Sequence, residues 1–220
     1  MTVTQRLLNA AADIWAEYNK HPFLQGLEHG TLDREKFRYY IIQDYHYLLD
    51  YMRSFAVGLA KAQSYEMRKL FSSYVTMLTD SEMDIHEGYL GKLQVTQQEL
   101  QETPVALDNL SYTSYMLRIA YEEGETEILT AILSCALSYE YIAKNIVKST
   151  PASVDDPFYG DWVKGYTSER YCKENIALTD MLEKAAEGYS EKQLEHLAEI
   201  FVICSRYELA FWEMAWTMRK

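Results

Sequence analysis

Between Glu127 and Glu140 the chain runs for twelve residues, ILTAILSCALSY, without a charge. A bilayer-spanning helix needs about 20 apolar residues, so this run is too short to cross a membrane. It lies in a longer stretch of helical period, Glu125 to Val147, and suits the buried centre of a helical domain. Elsewhere apolar residues also recur at helical spacing. The 9 glycines and 4 prolines cluster at breaks, and no strand-length alternation with turn chemistry stands out. The expected fold is all-α: a compact multi-helix bundle spanning residues 1–220 as one domain, with a ligand cleft between helices.

The breaks suggest the order. A first helix spans about Val3 to Asn19 and stops before His21-Pro22. Asp33 can cap a long helix to about Lys61, with Phe37, Tyr40, Ile41, Asp44, Leu48 and Tyr51 on one face. A helical region from about Ser64 to Leu93 follows, then a capping box at Thr96 and Glu99. A helix from about Ala106 to Glu123 pairs with the central one across Gly124. Pro151 to Thr167 reads as the most irregular stretch and the candidate for mobility, with a short helix starting at Asp156-Pro157. Ser168 caps a helix to about Glu187, and Ser190 with Gln193 opens the last one.

Charge narrows the partners. With 21 Lys and Arg against 33 Asp and Glu the net charge is -12, which repels phosphate backbones and anionic lipid surfaces. Neither a nucleic acid nor a membrane is expected as partner. The amino terminus carries helical spacing rather than an apolar signal-peptide core. Three cysteines without CxxC spacing argue against a disulfide framework or a zinc site, and a cytoplasmic location is expected.

Chemistry gathers around the central helix. Tyr139 follows Cys135 at i+4 on the same face, so a thiol and a phenol point together into the interior. Asp44 and Tyr47, Tyr112, and Glu208 with Phe211 sit on segments that can reach the same place. Taken alone, Cys135 reads as a small apolar residue and Asp44 as a boundary residue bonded to a neighbouring tyrosine. Together they form a set suited to a flat, nitrogen-rich ring: aromatics sandwich its faces, carboxylates bond its nitrogens, and sulfur attacks an electrophilic carbon. No metal or cofactor is expected. Glu82 and His86 share a helix face, but neither His86 nor His196 has an acid three residues before it. His21 lies in a helix break, without a Cys-x-x-Cys-His site to support a haem.

HPF at 21 to 23, FRYYIIQDYHYL, SYTSYM at 111 to 116, LSCALSYEY, WVKGYTSE at 162 to 169 and the final YELAFWEMAW occur in that order along nearly the whole chain. In these motifs the chain resembles the TenA family, the thiaminase II enzymes, of the cysteine-containing class. The resemblance implies a haem-oxygenase-like fold that binds no haem, and a homotetramer. It implies Cys135 as nucleophile, Glu208 as proton donor and Tyr47 as the tyrosine assisting the cysteine. Asp44 would bond the amino group and adjoining ring nitrogen of the substrate, with Tyr139 and Tyr166 on the pyrimidine and Tyr112 and Phe211 as further pocket residues.

The implied reaction is hydrolysis at the exocyclic methylene of a 4-amino-2-methylpyrimidine. The substrate would be 4-amino-5-aminomethyl-2-methylpyrimidine, releasing ammonia, or thiamine, releasing the thiazole. Nearby carboxylates oppose a standing thiolate, so the thiol proton is expected to leave during attack, with Tyr47 hydrogen-bonding the sulfur. The alternative reading is a pyrimidine- or thiamine-binding protein without turnover. A transcriptional regulator is disfavoured by the acidic charge and the lack of a helix-turn-helix signature.

Overall fold

In the computed structural model, the structure describes residues 1–79 and 83–219. Their helices are α1 (Val3–Tyr18), α2 (Pro22–Glu28), α3 (Arg34–Lys61), α4 (Tyr65–Met77), α5 (Met83–Lys92), α6 (Gln97–Glu102), α7 (Leu107–Glu122), α8 (Glu125–Ser149), α9 (Gly160–Thr167), α10 (Glu169–Ala185) and α11 (Glu191–Thr217). A 3-10 turn at Pro151–Asp155 joins α8 to α9, and there is no strand among the described residues. The fold is all-α.

Side-chain caps open most helices where the sequence placed them. Asp33 accepts from the Glu35 amide at 2.7 Å, and Thr2 with Gln5 forms a full capping box. Ser64 and Ser168 accept from the amides of Met67 and Tyr171. Each such cap satisfies an amide that the helix itself leaves orphaned, and is worth about 1 kcal/mol.

Four local expectations need correction. The break at His21-Pro22 is also a start, because proline at the first helical position has no amide to lose. There the His21 ring nitrogen Nδ1 accepts from the Phe23 amide at 3.3 Å and caps α2. The box at Thr96 is only half made: Thr96 accepts from the Glu99 amide, but the Glu99 carboxylate turns to the Arg38 guanidinium, a charged partner that outcompetes the cap. Helix α9 starts at Gly160 rather than at Pro157, since Asp156 spends its Oδ1 on the amides of Phe158 and Tyr159 and holds a turn there. The stretch from Pro151 to Thr167 is therefore mostly ordered in helical turns. The region from Ser64 to Leu93 contains α4 and α5, and residues 80–82 between them lie outside the described ones.

The uncharged run behaves as its composition requires. Helix α8 is buried on nearly every side from Thr126 to Ser138, with α11, α10, α9, α7 and α3 packed around it. Helix α11 also packs on α1, α2, α3 and α7, so α8 and α11 form the spine on which the other helices lean. Close packing fixes the junction before α9. A Cβ on Gly160 would stand 2.4 Å from the Val154 carbonyl oxygen, so only glycine lets α9 begin against the 3-10 turn.

Candidate functional site

Five helices bring the predicted residues together, with Tyr112 on α7. Helix α3 carries Asp44 and Tyr47 on one face, α8 carries Cys135 and Tyr139 one turn apart, α9 delivers Tyr166, and α11 delivers Glu208 and Phe211. Two serines set the register between thiol and acid. Ser134, next to Cys135, shares a 3.2 Å hydrogen bond with Ser205, one turn before Glu208. The indole of Trp15 donates to that Ser205 hydroxyl at 3.0 Å, tying α1 to the same junction.

A cleft of about 440 Å³ of empty volume opens between α3, α4, α8, α9 and α10. Asp44, Tyr47, Cys135, Tyr139 and Tyr166 border it directly. Glu208, Tyr112 and Phe211 do not border its open space; they stand behind that wall. Glu208 is 2 % exposed and hydrogen-bonded to Cys135, and Tyr112 donates to Glu208 Oε1 at 2.8 Å. Phe211 packs edge-on against Tyr47 at 5.8 Å between ring centroids.

Burial decides the acid's protonation. Removal from water pushes the Glu208 carboxyl from its ordinary 4.5 up to about 8, and the Asp44 charge adds to the rise, while hydrogen bonds from Tyr112 and Cys135 moderate it. At neutral pH Glu208 is therefore a protonated acid touching the thiol. Tyr47 donates to the Met116 sulfur at 3.6 Å, lies within electrostatic reach of Cys135, and is hydrogen-bonded to Tyr112. A chain of groups thus runs from Tyr47 through Tyr112 and Glu208 to Cys135.

Sequence reasoning placed Tyr40 on the right face of α3 but gave it no role. In the structure it is the hub of the opposite wall: it is hydrogen-bonded to Asp44, accepts from the Trp162 indole at 3.2 Å, and lies 3.4 Å from the Tyr139 hydroxyl. Asp44 is thus bonded to a neighbouring tyrosine, as expected of it taken alone, and it also borders the cleft. Tyr139 and Tyr166 form the aromatic wall, their centroids 4.7 Å apart at 53°. Tyr51 stacks on Tyr47 at 5.4 Å.

From α10, Tyr171 and Asn175 both donate at 3.0 Å to the carbonyl of Ala136, the residue after Cys135. Their spacing at i and i+4 was visible in the sequence. Nothing there distinguished them among 19 tyrosines and many polar helix positions.

The residues weighed for metal or haem are engaged elsewhere or lie outside the described residues. His21 spends Nδ1 on its cap and Nε2 on Glu213 at 3.2 Å, and His196 pairs with Glu123 at 2.6 Å. Glu82 and the side chain of His86 lie outside the described residues. Among the described residues no helix is long and apolar enough to cross a membrane.

The chain is similar to known proteins over nearly its full length. The chain is 43 % identical over 219 residues to an aminopyrimidine aminohydrolase of Helicobacter pylori, covering 98 % of this chain and 99 % of the relative. To the aminopyrimidine aminohydrolase of Halalkalibacterium halodurans it is 36 % identical, covering 100 % and 97 %. A crystal structure described as a TenA family transcription regulator from Silicibacter sp. TM1040 superposes with a TM-score of 0.91 at 27 % identity, covering 98 % of this chain and 96 % of that one. With the TENA/THI-4/PQQC family matched across residues 8–218, the chain belongs to that family.

Proposed function

We propose that the protein is an aminopyrimidine aminohydrolase of thiamine salvage, and that Cys135 and Glu208 carry the reaction. The observation that supports this most is the hydrogen bond between a nucleophilic thiol and a protonated, buried acid beside a cleft walled by Asp44, Tyr139 and Tyr166.

An aromatic pyrimidine resists direct displacement at its methylene by water. Asp44 holds the 4-amino group and adjoining ring nitrogen, and Tyr139 and Tyr166 hold the ring. The Cys135 sulfur adds to a ring carbon. As it does so, Glu208 gives its proton to a ring nitrogen and accepts the thiol's, so that one net proton passes from sulfur to ring. Tyr112 holds the Glu208 carboxyl for that exchange, and Tyr47 stands by the sulfur.

The amino group, no longer part of an aromatic ring, pushes electrons outward and the methylene bond to the leaving group breaks. Its electron pair leaves with nitrogen, as ammonia or as the neutral thiazole. Water adds at the methylene and gives up one proton to the departed amine or to solvent, the carbon–sulfur bond breaks with its electron pair on sulfur, and the ring proton returns through Glu208 to the thiol. The net change is aminomethyl pyrimidine plus water to hydroxymethyl pyrimidine plus ammonia; thiamine gives the same pyrimidine and the thiazole.

The working form is a cytoplasmic homotetramer of one-domain chains. The exposed apolar residues Val105, Leu107, Leu110 and Tyr121 on and beside α7 support an interface, and light scattering after gel filtration tests the mass. Direct assay of hydroxymethyl pyrimidine formed from each of the two substrates tests the activity and ranks them.

The name of the Silicibacter relative raises a regulator instead. A net charge of -12 opposes DNA binding, and a shift of labelled DNA at physiological salt would restore that reading.

A further inference from the structure

One carboxylate that borders the cleft is not used by the reaction above. Glu174 borders the cleft together with Asp44 and Cys135. Its backbone is fixed: the Tyr74 phenol on α4 donates to the Glu174 carbonyl at 2.5 Å, and its neighbours Tyr171 and Asn175 are tied to Ala136 on α8. The side chain is 23 % exposed, so a residue that borders the cleft also reaches solvent. Its ion-pair partner, Arg170, is 3.7 Å away and largely in solvent, beyond good hydrogen-bond length. Among the described residues no Lys, Arg or His borders the cleft.

Both departing groups of the proposed reaction are cationic while still attached. A primary aminomethyl group is an ammonium at neutral pH, as a lysine is, and the thiazolium carries a fixed charge. The hydroxymethyl product is neutral. A partly exposed carboxylate bordering the cleft, with no cationic side chain beside it among the described residues, therefore distinguishes substrate from product by charge alone.

We infer that Glu174 is a specificity residue that receives the cationic leaving group in the cleft and favours substrate over the neutral product. This rests on the activity proposed above. Burial holds the Glu174 carboxyl above its ordinary value against the opposing pull of Arg170, so an arriving cation finds a charge that is poorly compensated in the empty cleft. Asp44, bonded to Tyr40 on the far wall, is left for the amino group of the ring.

The test is steady-state kinetics of wild type, Glu174→Gln and Arg170→Gln with 4-amino-5-aminomethyl-2-methylpyrimidine, together with inhibition by the hydroxymethyl pyrimidine. For a partly solvated charge pair, Glu174→Gln is expected to raise KM about three- to fivefold and to leave product inhibition within about twofold. Arg170→Gln, which removes the competing cation, is expected to lower KM by about twofold. Opposite shifts from two neighbouring residues exclude general loosening of α10.

An unchanged KM in Glu174→Gln, or an equal weakening of substrate and product, would overturn the inference while leaving the hydrolase intact. A wild type without turnover would instead remove the activity, and this assignment with it.

Discussion

Tyr112 donates its phenol to Glu208 Oε1 at 2.8 Å, and the same carboxyl is hydrogen-bonded to Cys135. The acid is thereby held between a donor on α7 and the Cys135 thiol on α8, in a place where burial keeps it protonated. A single buried carboxyl thus links proton supply to sulfur chemistry, and its titration should be readable from outside.

The rate should report that titration. With Glu208 near 8, kcat/KM is expected to fall on an alkaline limb centred near that value. Glu208→Gln should abolish the limb and lower kcat by about 10²- to 10⁴-fold, the usual worth of a positioned acid. A pH profile from 6 to 10 for both proteins checks this.

Stability should report it with a definite sign. Glu208 is raised in the folded protein, so between its unfolded value near 4.5 and the folded value of about 8 the native state holds a proton that the unfolded chain releases. Its contribution is complete below pH 4.5 and is lost as pH rises toward 8. The shift of 8 minus 4.5 caps the loss at about 5 kcal/mol, using about 1.36 kcal/mol per pH unit. Thermal melts should therefore show Glu208→Gln gaining on wild type across that window and running parallel to it above. A gap independent of pH would contradict the assignment.

Tyr40→Phe tests the opposite wall. It takes a hydrogen-bond partner from Asp44 and leaves the buried Trp162 indole without its acceptor. The expected cost is about 1–3 kcal/mol in urea unfolding, with a rise in KM as Asp44 loses its orientation.

Gly160→Ala tests the support of Tyr166. The added methyl meets the Val154 carbonyl oxygen, and overpacking of this kind costs about 1–3 kcal/mol. Because Tyr166 rides on the same helix, KM should rise along with the loss of stability; a full loss of stability at unchanged KM would separate the two.

What the sequence disclosed follows from the range of the interactions concerned. Helical periodicity and caps are local, so α1, α3, α8, α10 and α11 and the caps at Asp33, Ser168 and Ser190 were legible. The meeting of Cys135 with Asp44 followed from an apolar helix that had to be surrounded.

The fate of Glu99 was not legible, because Arg38 is 61 positions away and no spacing rule connects them. Nor was the role of Tyr40, whose partners Trp162 and Tyr139 lie on two other helices. The helix start near Pro157 was misplaced because Asp156 chose a turn over a cap, a choice settled by how α9 packs on the 3-10 turn. Glu174 carried no signal, since an exposed-looking acid on an amphipathic helix is ordinary until α4 and α8 close around it.

Cys135 is the proposed nucleophile of an aminopyrimidine hydrolase. Ammonia release from 4-amino-5-aminomethyl-2-methylpyrimidine by wild type and Cys135→Ser tests it most directly, with a binding isotherm for each protein. Wild type is expected to turn over, the serine variant to lose at least about 10³-fold in kcat, and the two dissociation constants to lie within a few-fold of each other. Comparable turnover by both proteins, or binding by wild type with no ammonia released, would contradict it.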